Sequence, residues 1–176
     1  MNPIKEKNCY SMVETSCIRL INTPVGTLRI KGNAEAVTAV EFDDKHEYYV
    51  EGELTKPVEM CIHQLHEYFR GTLTAFSVPV QMEGTKFQQK VWDSLMDIPF
   101  AEQVSYGKIA EEIGTPNGQR AVGNANNHNP IAIVVPCHRV IGADGKLVGY
   151  AGGIWRKAWL LEHEAKIAGK ESLSLL

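Results

Sequence analysis

The sequence has no apolar run approaching the roughly 20 residues that a membrane-spanning helix requires. Its opening stretch, MNPIKEKNCY, lacks the basic-then-apolar order of a secretory signal. A cytoplasmic protein with no membrane partner is therefore the expectation. Cysteine is scarce as well: Cys9, Cys17, Cys61 and Cys137 fall at irregular intervals in a chain of 176 residues. A chain of that length can bury an ample core without covalent staples, so all four read as reduced thiols. Internal repeats and low-complexity segments are absent too, which excludes solenoid and linker architectures.

Acidic residues are missing from one region. The net charge of -3 argues against a polyanionic partner, but the charge is unevenly spread. Residues 1–83 hold eight Lys or Arg against twelve Asp or Glu, whereas residues 84–176 hold ten against nine. No acid occurs between Glu112 and Asp144, a span containing Arg120, His128, His138 and Arg139. One face could therefore meet a nucleic acid. On charge alone, a neutral loop region fits equally well.

The first third alternates apolar and polar residues over Ile18 to Ile21, Leu28 to Ile30 and Val37 to Phe42, with turn residues in NTPVG and KGNAE between them. This predicts a small antiparallel meander. Thr55 precedes a helical stripe of Val58, Ile62, Leu65 and Phe69, and Gly71 stops it. Cys61 reads as core filler on that helix. A further apolar stretch, Phe76 to Val80, leads into QMEGT as a linker. Beyond it the pattern turns helical, with Phe87, Val91, Trp92 and Leu95 on one stripe ended by Pro99. The chain thus divides into an N-terminal α/β unit, residues 1–83, and a mostly helical unit, residues 84–176.

In the second unit Ser105 caps a short helix from Gly107 to Ile113, the turn GTPNG follows, and QRAVGNANN makes another short helix. Two such helices around a glycine-bearing turn resemble a helix-turn-helix. The second carries small residues at Ala121, Gly123 and Ala125, with Arg120 its single charged side chain. Gly123 costs about 1 kcal/mol of helix stability relative to alanine. Small residues permit close approach, so this helix is expected to lie in a narrow groove and push Arg120 inward. Seating against a neighbouring helix explains the same residues.

The apolar run Ile131 to Val135 reads as a buried strand that Pro136, lacking an N–H, ends. Cys137 would then stand at the strand's mouth, half-buried and open on one side. A thiolate is the reactive form, and a nearby imidazole favours it. His138 is adjacent in sequence, but in an extended chain the two side chains point apart, so contact needs a sharp turn or a bridging water. On the last helix, with about 3.6 residues per turn, Leu160, Leu161, Glu164 and Ala168 share a face with Lys157. A carboxylate among leucines needs a partner. Either His138 supplies it, giving a Cys, His, Glu relay, or Glu164 pairs with Lys157 at the surface. The glycine-rich LVGYAGG, Leu147 to Gly153, could bring backbone amides and Tyr150 to a ligand.

The segments PCHRVIG, SYGKIA, RAVGNANNHNP and GYAGGIWRKAWLLEHE, in this order and spacing, closely resemble the O6-alkylguanine-DNA alkyltransferases. The likeness is dense from Gly84 to Glu164, with a weaker echo in TPVGTLRI and EYFRG. It implies a ribonuclease-H-like α/β N-terminal domain and a winged-helix-like C-terminal domain containing the helix-turn-helix. It also implies single-turnover transfer of an alkyl group from O6-alkylguanine, and from O4-alkylthymine, to Cys137, after the nucleotide is flipped out through the minor groove. The partner would be double-stranded DNA carrying alkylated guanine, bound by a monomer without a cofactor.

The resemblance also implies roles for individual residues. Cys137 would accept the alkyl group, and His138, through a water, would take its proton while Glu164 orients the imidazole. Asn129 would hold the active-site turn, Lys157 would assist the thiolate, and Tyr106 would turn the target phosphate and donate toward the leaving guanine. Arg120 would fill the vacated stack, on a helix whose Ala121, Gly123 and Ala125 face DNA. Val135, Val148, Tyr150, Ala151 and Gly152 would line the substrate pocket.

The zinc that some relatives hold through two Cys and two His is not expected. Cys9 and Cys17 are separated by seven residues and lack matching histidines. Certain relatives carry tryptophan where this chain has Gly152, so the pocket is expected to admit alkyl groups bulkier than methyl. Two rivals share the same residues: a Cys137, His138, Glu164 thiol hydrolase, and a non-catalytic lesion-binding protein.

Overall fold

The computed structural model describes residues 16–45 and 50–170. Cys9, and with it the question of an N-terminal metal, lies outside them. Strands β1 (Cys17–Thr23), β2 (Gly26–Gly32) and β3 (Val37–Phe42) form an antiparallel sheet in sequence order. The alternation seen in the sequence sends Leu28, Ile30, Val37 and Val40 inward, each at most 1% exposed. Helix α1 (Lys56–Arg70) covers that face with Val58, Cys61, Leu65 and Tyr68. It stops at Gly71, whose φ of 78° lies in the left-handed region. There its N–H and that of Thr72 satisfy the carbonyls of Tyr68 and Glu67.

Residues 79–81 pair with β3, Val37 donating to the Pro79 carbonyl at 2.9 Å and accepting from Gln81 N–H at 2.9 Å. A reciprocal Thr85/Gln88 capping box opens α2 (Lys86–Met96), which buries Val91, Trp92 and Leu95. Strand β4 (Val104–Ser105) leads into α3 (Tyr106–Glu112), where the Ser105 hydroxyl accepts from Lys108 N–H at 3.1 Å. A turn then gives α4 (Gln119–Asn127). Trp92 Nε1 donates to the Ala125 carbonyl at 2.9 Å, tying α2 to α4. Strand β5 (Val140–Ile141) runs parallel to β4, and α5 (Ile154–Ile167) closes the core. None of the described helices is long and apolar enough to cross a membrane.

Residues 131–135 do not form the strand that their composition predicts. The outer edge of β3 holds their beginning, Val40 donating to Pro130 and accepting from Ala132, both at 2.9 Å. Ile133 then adopts φ 71°, a left-handed conformation costly for a β-branched residue. Val134 N–H closes a γ-turn onto the Ala132 carbonyl at 2.8 Å, and Val135 N–H reaches Ile131 at 3.0 Å. A second γ-turn, of the commoner hand, forms around Pro136 (φ -82°, ψ 58°), with Cys137 N–H on the Val135 carbonyl at 2.8 Å. The run is apolar because Ile131, Ile133 and Val135 are fully buried, not because the backbone is extended.

Candidate active site

The paired turns deliver Cys137 as the first residue of a 3-10 helix, Cys137–Arg139. It is not at a strand's mouth, as its sequence neighbours suggest. Its side chain is 5% exposed and opens into a cavity of about 380 Å³. Phe42, Asn127, Asn129, Ala132, Tyr150 and Gly152 are among the residues lining that cavity. Burial raises the thiol above its ordinary value, while Asn129, the Lys157 ammonium and Tyr150 pull it down. Burial wins, so the resting thiol is protonated at neutral pH.

The 3-10 turn swings His138 to the opposite side, into the core, where it is fully buried. His138 Nε2 lies 2.9 Å from Glu164 Oε1 on α5. A carboxylate only accepts, so Nε2 carries the hydrogen and Nδ1 presents a lone pair. Nδ1 is buried with no hydrogen-bond partner among the described residues. Burial lowers the imidazole pKa, against the pull of Glu164, so the ring is neutral and able to act as a base. Of the two sequence alternatives for Glu164, the His138 pairing is the one formed. The surface pairing with Lys157 is not.

Glu164 has more partners than the sequence suggested. Arg139 Nε and Nη2 reach its two oxygens at 2.9–3.3 Å, Tyr68 Oη donates at 2.9 Å and Ala101 N–H at 3.0 Å. Burial alone would raise its pKa, but the His138 and Arg139 bonds outweigh it and hold the carboxyl well below the usual range. The signal for Arg139 was available: it is the acid-free span's cation adjacent to His138. Tyr68 lies beside the stripe expected on α1, and nothing in the sequence pointed to it.

Asn129 Nδ2 donates to Val135 O at 2.9 Å and its Oδ1 accepts from Ile131 N–H at 3.0 Å, clamping both ends of the turn. Asn126 Nδ2 donates to Cys137 O at 3.3 Å. Lys157, fully buried, donates to Val148 O at 3.0 Å and to Tyr106 Oη at 3.4 Å. Desolvation brings its pKa down to about 8, so it still carries most of its charge at neutral pH. Tyr106 Oη donates to the same carbonyl at 3.1 Å, and burial pushes its phenol up to about 12.

Beside the cavity lies a more open hollow of about 490 Å³, lined by Tyr106, Arg120, Gly123, Asn124, Asn127 and Val148 among others. Asn127 borders both spaces. Arg120 and Ala121 are exposed and Gly123 is half-buried. A β-carbon on Gly123 would meet Tyr106 at an ordinary 3.7 Å, so nothing in the protein itself demands a glycine there. Ala125 does not share that face: it is 2% exposed and packs inward over α2, a correction to its expected place against DNA. Val135 is buried, with its carbonyl spent on Asn129 and Cys137. Val148 and Ala151 are exposed. Gly152 does not leave the open room expected of it, because a β-carbon there would overlap the ring of Phe42.

Fold and site together define a class of protein: a sheet-and-helix half joined to a helical half in which a sunken cysteine, backed by an imidazole and a carboxylate, lies beside a two-helix unit. Family models match both halves, residues 17–82 to the 6-O-methylguanine DNA methyltransferase ribonuclease-like domain and residues 86–166 to its DNA-binding domain. The chain is 48% identical over 149 residues to a methylated-DNA–protein-cysteine methyltransferase of Mycobacterium tuberculosis, covering 83% of this chain and 90% of that one. It is 45% identical over 149 residues to the Methanosarcina acetivorans protein so named, covering 82% and 96%. The crystal structure of M. tuberculosis OGT in complex with DNA aligns with a TM-score of 0.79 at 46% identity, over 90% of this chain and 98% of that one. The chain belongs to the 6-O-methylguanine DNA methyltransferase family.

Proposed function

We propose that this protein repairs DNA by moving the alkyl group of O6-alkylguanine, and of O4-alkylthymine, onto Cys137, irreversibly and once per molecule, acting as a monomer in the cytoplasm. The observation that carries the reading is the Cys137 thiol opening into a cavity larger than a nucleobase with the His138–Glu164 pair behind it. The relatives' names, and the DNA bound to one of them, support the substrate class.

In the transfer, the Cys137 sulfur–carbon bond forms as the O6–carbon bond breaks. The thiol proton passes through a water to His138 Nδ1, whose ring is steadied by Glu164. Guanine leaves as an anion and takes up one proton, toward which the Tyr106 hydroxyl and the Lys157 ammonium provide donors. Atoms balance with no cofactor: the thiol hydrogen is exchanged for the alkyl group. The thioether has no easy leaving path, which makes the protein its own spent product.

An alkyl group at guanine O6 is inside the duplex, so the nucleotide must leave the stack, at a cost of a few kcal/mol. Arg120, which is exposed at the start of α4, fills the gap. Gly123 and Ala121 keep the helix surface low for the approach, and Tyr106 across the hollow meets the rotating phosphate. Inside, the exocyclic edge of the base faces Tyr150, Ala151 and Gly152, with Val148 at the rim.

The test is intact-mass measurement after mixing the protein with excess O6-methylguanine duplex. The expected result is a gain of one CH2 unit on Cys137, a plateau at one equivalent, and no gain in Cys137→Ala. Continuing turnover on an ester or amide would identify the hydrolase instead, and tight binding without a mass change the lesion-binding protein.

A further inference from the structure

The wall of the Cys137 cavity is not built by the C-terminal half alone. Phe42, the last residue of β3, lines it together with Val40 on the same face of the strand. Three groups brace the Phe42 ring. The Arg156 guanidinium carbon sits 4.4 Å from its centroid, the Tyr150 ring meets it edge-on at 6.1 Å, and Gly152 lies beneath it. Arg156 is itself fixed, donating to Val25 O and Gly152 O at 2.7 Å each and pairing with Asp44. These contacts seat the ring against the cavity wall.

The lining near Asn126, Asn127, His128 and Asn129 is polar and suits the hydrogen-bonding edges of a base. Its apolar part is Val40, Phe42, Ala132, Tyr150 and Ala151, and a hydrocarbon substituent larger than methyl has to lie there. The geometry points to Phe42 as the residue that sets the size of alkyl group this protein accepts. It occupies the space that the absent side chain at Gly152 would otherwise leave, so the size limit is supplied by the N-terminal sheet. This rests on the alkyl-transfer reading above and adds which residue decides among alkylated substrates.

The experiment compares transfer rates from O6-benzylguanine and O6-methylguanine in the same duplex, taken as a ratio so that any loss of folded protein cancels. Phe42→Ala is expected to raise the benzyl-to-methyl ratio by about tenfold or more, the scale on which pocket volume discriminates, and Phe42→Trp to lower it. Phe42→Leu, with an intermediate side chain, serves if the alanine variant does not fold and is expected to raise the ratio by less. Gly152→Ala, whose β-carbon would press chiefly on the Phe42 ring, should shift the ratio in the wild-type background and shift it less beside Phe42→Ala. An unchanged ratio in all the variants, or a fall in Phe42→Ala, overturns the inference. If wild-type protein gains no mass from either duplex, the alkyl-transfer reading fails instead, which is a separate outcome.

Discussion

At the scale of single residues, the site depends on how many partners one buried carboxylate has. Glu164 receives bonds from His138, Arg139, Tyr68 and Ala101 while fully shielded from water. Removing it strands a buried guanidinium and a phenol, so Glu164→Ala is expected to cost about 3–5 kcal/mol, read as a fall in Tm. Glu164→Gln keeps the shape but not the charge; it should lose less stability yet slow methyl transfer, because the amide no longer holds His138 as firmly. The thiol gives a second expectation. With its pKa raised by burial, Cys137 should react with iodoacetamide more slowly than free cysteine at neutral pH and faster as the pH rises. Lys157→Met removes a nearby positive charge and should slow it further, followed by intact mass with Cys137→Ala as the blank.

At the scale of elements, the turn of residues 131–135 is where the sequence was least informative. A run of apolar β-branched residues reads as a strand by composition, and periodicity cannot separate that from a buried turn. What decides is the outer edge of β3, which engages Pro130 and Ala132 and leaves Ile133 to reverse the chain. Such a long-range pairing leaves no mark within the segment. The meander, α1 with its Gly71 stop, and the α2 stripe were legible, because each depends on local periodicity and a cap. That Glu164 needs a partner was legible too, since a carboxylate on an apolar helix face demands one, but the sequence left His138 and Lys157 as alternatives and only the fold decides between them. The places of Ala125 and Gly152 were not legible, because both are set by side chains from other elements, Trp92 nearby and Phe42 across the fold. Asn129→Ala should loosen this turn: with both ends unclamped, transfer is expected to slow by about tenfold or more while the far-ultraviolet spectrum stays unchanged, an effect of misplacement rather than unfolding.

At the scale of the whole molecule, pH acts through groups whose charge the fold has fixed. His138 resists protonation in the folded state, so stability is expected to decline as the pH drops below about 6.5, its ordinary pKa. Glu164 is held ionised well below the carboxylate range, so its contribution is complete above about pH 4.3 and drains away as acid protonates the unfolded chain first. Urea midpoints measured from pH 7 to pH 3 should therefore fall in two stages, and Glu164→Gln should flatten the more acidic one.

The seam between the two halves mixes contacts of different kinds. Where Val40 meets Pro130 and Ala132, the bonds run from main chain to main chain and ignore side-chain identity. Where Phe42 sits over Gly152, the fit depends on a ring at one position and the lack of a side chain at the other. Chimeras that exchange the first 83 residues with those of a relative should therefore assemble readily yet inherit the substrate tolerance of the donor of that segment. Recombination in this way would retune the repertoire of lesions while Cys137, His138 and Glu164 themselves stay in place.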